Sequence, residues 1–216
     1  MIIASQSATL ISHTPDPEQL IERAGRVCYK SEGACKPGSH IAIINKLKTG
    51  GHTSVLEHAS ATLHLVTNRA IGNEIVRHRA GCSYSQESTR YVNYTADKFG
   101  GEITVIKPIR RDGSPLAPAA EGAWEAAVRA AELAYFTMVD AGEAPEIARD
   151  VLPLCTKTEI VATYNFRSWR HFLNLRLKGS TGRPHPQILA LCRLVAPQLV
   201  AIAPTVFSDF AGEVAP

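Results

Sequence analysis

The chain has no run approaching the roughly 18 continuous apolar residues of a membrane-spanning helix, and its 216 residues contain no internal repeat and no low-complexity tract. A membrane span and a repeat array are therefore excluded. The opening MIIASQSATLIS has no basic segment ahead of a long apolar core, so no secretory leader is expected and the reading is a cytoplasmic protein. The five cysteines (Cys28, Cys35, Cys82, Cys155 and Cys192) are odd in number, scattered and without a CxxC pair. That pattern argues against a disulfide framework and against a zinc ribbon, and fits a reducing compartment. Charge of one sign is also scarce: a net +3 gives little electrostatic reach toward nucleic acid. What is present is ordinary for a globular chain, with 45% apolar and 20% charged residues. The length favours one domain over residues 1–216, with 203–216 expected as a C-terminal tail. Two Gly- and Pro-rich stretches, RRDGSPLAP (110–118) and KGSTGRPHP (178–186), read as loops within it.

Periodicity sets out a mixture of elements. After an apolar opening strand, residues 9–12 lead into a helix in PDPEQLIERAGRVCY, with Leu20, Ile21, Ala24, Val27 and Cys28 on one face and acids in the first turn. A second helix follows Ser39. Residues 60–66 set Ala61, Leu63 and Leu65 against Thr62 and His64, the period of a strand. A short helix is expected over 68–79, a strand over 102–107, and the longest helix over the alanine-rich 119–141, ended by Gly142. Residues 156–164 read as a strand, 166–177 as a helix, and 187–202 as a helix kinked at Pro197. Strands and helices do not alternate strictly, which favours α+β with a mixed or antiparallel sheet.

Chemistry concentrates in three segments. In the first, Arg77 to Tyr91, three arginines and a histidine surround a glycine and a run of hydroxyl residues, a grouping able to meet phosphate with permanently charged forked donors. A helix C-terminus followed by a polar turn accounts for it equally well. In the second, HTSVLEH (52–58), the two histidines are six apart with Glu57 beside the second. A helical metalloprotease motif needs them four apart with the acid beside the first, so a metal is not expected. In the third, Asn165 caps a helix whose Phe166, Trp169, Phe172 and Leu173 face the core, while Arg167, His171 and Asn174 form a polar stripe. Arg176 is nine residues beyond Arg167 and, at about 100° per residue, points to nearly the opposite side, so one helix could serve two sites. A solvated basic face is the expectation for Arg170.

Arg77-His78-Arg79, eight intervening residues and then Ser88 resemble the signature of flavin-dependent thymidylate synthases. HTSVLEH, SQESTRY, NFRSWRHFLNLR and HPQ follow the family's order, and the resemblance covers roughly residues 10–200. It implies a homotetramer with active sites at subunit interfaces and a reductive methylation of dUMP to dTMP. NADPH would reduce FAD, 5,10-methylenetetrahydrofolate would supply the carbon, and tetrahydrofolate would leave. Carried over by position, His52, Ser54, Arg77, His78, Arg79, Asn165, Arg167, His171 and His185 fall on flavin contacts, with Gln187 beside the last. Glu74, Gln86, Ser88, Arg90 and Arg176 fall on the nucleotide. Arg90 suits the phosphate, and Arg176 suits a pyrimidine carbonyl and its activation. Ser88, considered as a catalytic residue, has no visible base and is read as binding and polarising. The chain departs from the family pattern at Glu74, where many members carry glutamine, at His171, where others carry asparagine, and in a longer stretch between Arg176 and His185. The competing reading is a non-enzymatic RNA-binding protein that uses Arg77 to Arg90 with Tyr84 and Tyr91 as stacking groups. That reading has no need of His52, Glu57 or Arg176.

Overall fold

The computed structural model describes residues 1–95 and 100–214. Its centre is set by the two most regular period-2 segments, β3 (Ser60–Asn68) and β6 (Lys157–Asn165), each nine residues long. They pair antiparallel along their whole length, from Ser60 opposite Asn165 to Asn68 opposite Lys157. Alternation sends Ala61, Leu63 and Leu65 of one strand and Ile160, Ala162 and Tyr164 of the other into the core, while Thr62, His64, Glu159 and Thr163 stay partly exposed on the opposite face. β2 (Ser7–His13) flanks β3, with an irregularity between Leu10 and Ser12, and β4 (Cys82–Gln86) flanks β6. The four-stranded order is thus β2-β3-β6-β4. A separate parallel pair joins β1 (Ile2–Ala4) to β5 (Thr104–Ile106), so the architecture is α+β with both kinds of sheet.

Helices cover the apolar face. α1 (Pro17–Val27), α2 (Ser39–Thr49) and α3 (Arg69–Ile75) precede β4, while α4 (Pro118–Asp140) and the short α5 (Pro145–Ala148) lie between β5 and β6. α6 (Phe166–Arg176) and α7 (Pro186–Ile202) follow β6. Phe166, Trp169, Phe172 and Leu173 of α6 join Ile188, Leu191, Cys192, Val195 and Leu199 of α7 in one buried cluster with the strands. Each such side chain contributes about 1.5–3 kcal/mol by leaving water. Trp169 stacks on Tyr164 at 4.1 Å and donates its indole N–H to the Ala61 carbonyl at 3.0 Å, so the helix that carries the site is fastened to the sheet's central pair. A second cluster under α4 gathers Tyr94, Ile103, Val105, Val128 and Tyr135. Among the described residues no helix is long and apolar enough to cross a membrane.

Several expectations are corrected. Residues 9–12 belong to β2, because their backbone pairs with β3 before the chain turns at Asp16 into α1. The buried face of α1 is Pro17, Glu18, Ile21, Glu22 and Gly25, whereas Val27 and Cys28 are exposed. The face turns toward two carboxylates because both are fully engaged. Glu18 accepts from Thr205 N (2.6 Å), Val206 N (2.9 Å) and Thr205 Oγ1 (2.8 Å), and Glu22 accepts from Ser39 and Arg26. Residues 82–86, read as a polar turn, are the edge strand β4. The segment expected as a tail folds back as α8 (Pro204–Phe207) and a 3-10 turn, burying Val206, Phe207 and Phe210. Arg170 is no solvated face: its guanidinium grips both oxygens of Asp209 (2.6 and 2.8 Å), contacts the Val206 carbonyl and lies over the Phe210 ring. Pro197 lies within α7, which continues to Ile202.

Candidate active site

The site begins where β6 becomes α6. Asn165 ends the strand, and its side-chain oxygen accepts from Ser168 N at 2.8 Å, capping the helix. Its own N–H donates to the Gly81 carbonyl at 3.0 Å, and Ser168 Oγ donates to the Ala80 carbonyl at 2.6 Å. Gly81 has φ +67, and a Cβ there would collide with the Asn165 amide nitrogen and stand 2.7 Å from Ser168 Oγ. Only glycine permits this approach. The loop carrying Arg77, His78 and Arg79 is thereby bolted onto the start of α6. The Tyr84 hydroxyl, on β4, lies 3.0 Å from the Ile75 carbonyl, closer still to that of His78, and 2.7 Å from the Tyr164 hydroxyl. Burial pushes both phenols above their ordinary range, so they stay protonated and keep the loop's carbonyls occupied.

His78 is 9% exposed, with the Phe172 ring at 5.0 Å and the His171 ring at 5.9 Å. Burial, reinforced by the Arg176 guanidinium and His171, pushes its pKa down to about 4. It is therefore neutral at pH 7, and its Nε2 accepts from Arg176 Nε at 3.3 Å. Arg176 Nη1 donates to Glu74 Oε2 at 2.7 Å, so the guanidinium is oriented from two sides while part of its fork stays open. Arg167 pairs with Glu57 at 2.6 Å, with both side chains about half exposed.

A cleft of about 560 Å³ opens between the 77–81 loop and α6, and its walls include Arg77, Arg79, Arg167, His171 and Arg176. Arg167 and Arg176 thus share one cleft instead of serving opposite sides of the helix. The arginine stem is long, and His78 and Glu74 draw the guanidinium of Arg176 back from the last turn. Arg77 and Arg79 are exposed and have no side-chain partner among the described residues.

The remaining candidates lie outside this cleft. His52 is exposed and lines a groove of about 980 Å³ with Arg26, Tyr29, Lys36 and Lys46, and Ser54 is exposed nearby. Gln86 donates to Thr158 Oγ1 at 3.1 Å. Ser88 Oγ accepts from Arg90 N at 3.3 Å, and among the described residues it has no hydrogen bond to a histidine or acid. Arg90 pairs with Glu146 at 2.7 Å. His185 caps α7 by accepting from Gln187 N at 3.2 Å, while Gln187 is buried and bonded to Asn68 and to the Lys107 carbonyl. Sequence reasoning did not find the Glu57–Arg167 pair, the Ser168 contact to the loop or the Tyr84–Tyr164 pair. The alternation of β4 was the one available signal, since it aims Tyr84 inward; no local pattern marks Glu57 as the partner of a residue 110 positions away.

The family model described as "Thymidylate synthase complementing protein" matches residues 9–205. The flavin-dependent thymidylate synthase of Geobacter sulfurreducens is 36% identical over 211 residues, covering 93% of this chain and 84% of that protein. That of Mycobacterium tuberculosis is 34% identical over 205 residues, covering 88% and 78%. Among solved structures, a UMP/dUMP methylase from Streptomyces cacaoi bound with 5-Br dUMP is 26% identical with a TM-score of 0.82, each chain covered in full. The order of motifs, the fold and the matched length agree: the chain belongs to the flavin-dependent thymidylate synthase family.

Proposed function

We infer that the protein converts dUMP to dTMP by reductive methylation, with 5,10-methylenetetrahydrofolate as carbon donor and FAD reduced by NADPH. The observation that carries this reading is Arg176, a guanidinium oriented by a neutral imidazole and a carboxylate inside a cationic cleft, with donors to spare. The donor set fits a flavin dinucleotide, because the unpartnered guanidiniums of Arg77 and Arg79 suit its diphosphate and Asn165, Arg167 and His171 border the same space. When bound, FAD supplies the hydride chemistry. The chain's own residues orient the reactants and stabilise charge. Arg176 donates to a uracil carbonyl and offsets the negative charge that develops as the ring becomes nucleophilic at C5. Glu74 keeps Arg176 from swinging into solvent. Ser88 and Gln86 bind and polarise the nucleotide, and Arg90 takes its phosphate in exchange for Glu146.

His52, Ser54, Gln86, Ser88, Arg90 and His185 lie apart from the cleft within one chain. Their separation supports a homotetramer in which one subunit's cleft is completed by surfaces of its neighbours. The proposed setting is the cytoplasm, with neither nucleic acid nor membrane as a partner. The test is visible absorbance of the purified protein and dTMP formation from dUMP with methylenetetrahydrofolate and NADPH. A flavin spectrum with product formation is expected; no flavin uptake and no dTMP from the FAD-supplemented protein would overturn the reading.

A further inference from the structure

Outside the site just described, two loops meet at the start of α7. The first is a tight turn in which Ile109 bridges Pro115, Arg110 N donates to Ser114 O at 2.9 Å and Gly113 N donates to Arg110 O at 2.9 Å. The second follows α6 directly. Ser180 N donates to Asn174 O at 3.1 Å and Gly182 N to Gly179 O at 3.0 Å, and a Cβ at Gly179 (φ +68) would stand 2.9 Å from the Gly182 carbonyl. Beneath them Gln187, 3% exposed, donates to the Lys107 carbonyl at 3.0 Å and accepts from Asn68 Nδ2 at 3.0 Å. Each loop is thus tightened by its own bonds, and Gln187 ties the segment that enters the first and the helix that leaves the second to the cap of α3, the helix that leads to Arg77.

The cleft between them, about 580 Å³, is walled by Arg110, Arg111, Asp112, Arg183 and His185. None of the three guanidiniums has a hydrogen-bond or ion-pair partner among the described residues. Elsewhere Arg90, Arg167, Arg170 and Arg176 each hold a carboxylate, so Arg110, Arg111 and Arg183 share their unpartnered state with Arg77 and Arg79 of the first cleft. The one carboxylate here, Asp112, is turned to its own loop, accepting from Ser114 N (3.0 Å) and Oγ (2.6 Å). Three guanidiniums against a single carboxylate that its own loop already engages leave the cleft cationic, a receptor for a compact dianion, and forked donors match phosphate oxygens better than any other common anion apart from carboxylate.

We propose that this cleft binds a phosphate monoester, the 2′-phosphate of NADPH, and so sets the preference for NADPH over NADH. The assignment rests on the thymidylate synthase reading above. There the FAD diphosphate has Arg77 and Arg79 and the dUMP phosphate has Arg90. The reductant's 2′-phosphate is then the remaining phosphoryl dianion without a receptor, and His185, a proposed flavin contact, forms part of the same wall.

The experiment compares wild type with Arg111→Ala, Arg183→Ala and the conservative Arg183→Lys, all at exposed positions. Calorimetry with adenosine 2′,5′-bisphosphate, 5′-AMP and inorganic phosphate measures binding, and steady-state kinetics with NADPH and with NADH measure use of the reductant. Wild type should bind the bisphosphate at least about tenfold more tightly than 5′-AMP, inorganic phosphate should compete, and each alanine change should cost roughly tenfold. Arg183→Lys should fall between. Turnover efficiency with NADPH should drop in parallel and become less sensitive to salt, while NADH-driven turnover and dTMP formation after reduction by dithionite stay unchanged. Equal affinity for bisphosphate and 5′-AMP, or variants that weaken dUMP instead of NADPH, would overturn the assignment. A wild type that binds the bisphosphate through these arginines yet forms no dTMP after dithionite reduction would sink the thymidylate synthase reading and leave the phosphate site standing.

Discussion

Of the three arginine–carboxylate pairs on helix α6, those of Arg170 and Arg176 share a chemistry and differ in what they leave free. Arg170 faces the C-terminal segment and is saturated, with both forks on Asp209, a further bond to the Val206 carbonyl and the Phe210 ring beneath it. Arg176, at the last turn, has single bonds to Glu74 and His78 and borders an open cleft. Burial alone would raise the Asp209 carboxyl, yet Arg170 and Lys48 hold it below the usual carboxylate range. The Glu74–Arg176 pair is left a quarter to a third exposed. A saturated pair is a clasp. An unsaturated one with fixed orientation is a receptor.

The comparison predicts that damage divides between the two pairs. Arg176→Ala should lose about 2 to 4 kcal/mol of transition-state stabilisation in dTMP formation, the scale of an oxyanion-hole donor, with FAD content and the urea midpoint nearly unchanged. Arg176→Lys keeps the charge but loses the fork, and should cost more in kcat than in KM. An alanine variant with normal turnover, or one that has merely lost its flavin, would erase the distinction. Arg170→Ala should do the reverse: unfolding stability falls by about 1.5 to 3 kcal/mol in urea, while kcat per folded enzyme stays within about twofold.

pH sharpens the contrast further. The neutral imidazole of His78 is one of the two groups that orient Arg176, with a folded pKa depressed from 6.5 to about 4. Its contribution to stability is therefore complete above about 6.5 and lost as pH falls through about 4. Imidazole chemical shifts followed by NMR should titrate near the lower value, and a midpoint near 6.5 would show that the ring is not buried against Arg176. The smallest effect belongs to Ser88→Ala. With no base bonded to the hydroxyl among the described residues, dTMP formation should remain measurable, and complete loss of chemistry with intact dUMP binding would make Ser88 a nucleophile.

How much of this was legible in the chain depends on whether the cause was local. β3 announced itself because Ala61, Leu63 and Leu65 alternate with polar residues, and α6 because Asn165 caps an aromatic face. β4 was hidden because an edge strand with one wet face can be built from Cys82, Ser83, Tyr84, Ser85 and Gln86, which between basic neighbours look like a turn. The face of α1 was misjudged because two buried carboxylates outweighed Val27 and Cys28, and their partners sit at residues 205–206 and at Ser39. In the site, the residue types of Arg77–Arg79 and Arg176 were readable. That Arg167 and Arg176 share a cleft was not, since a helical wheel places backbones and ignores the reach of a guanidinium.

The bolt at Gly81 has a mechanical corollary. The carbonyls of Ala80 and Gly81 are held by the same two residues, Ser168 and Asn165, that begin α6. Lifting the cationic loop therefore uncaps the helix, and fraying the first turn of the helix releases the loop. The two motions are one opening event, with one free energy. In hydrogen exchange the amide protons of Asn165 and Ser168 should escape together at a shared rate, and a ligand gripping Arg77 or Arg79 should slow both, although neither amide would touch it.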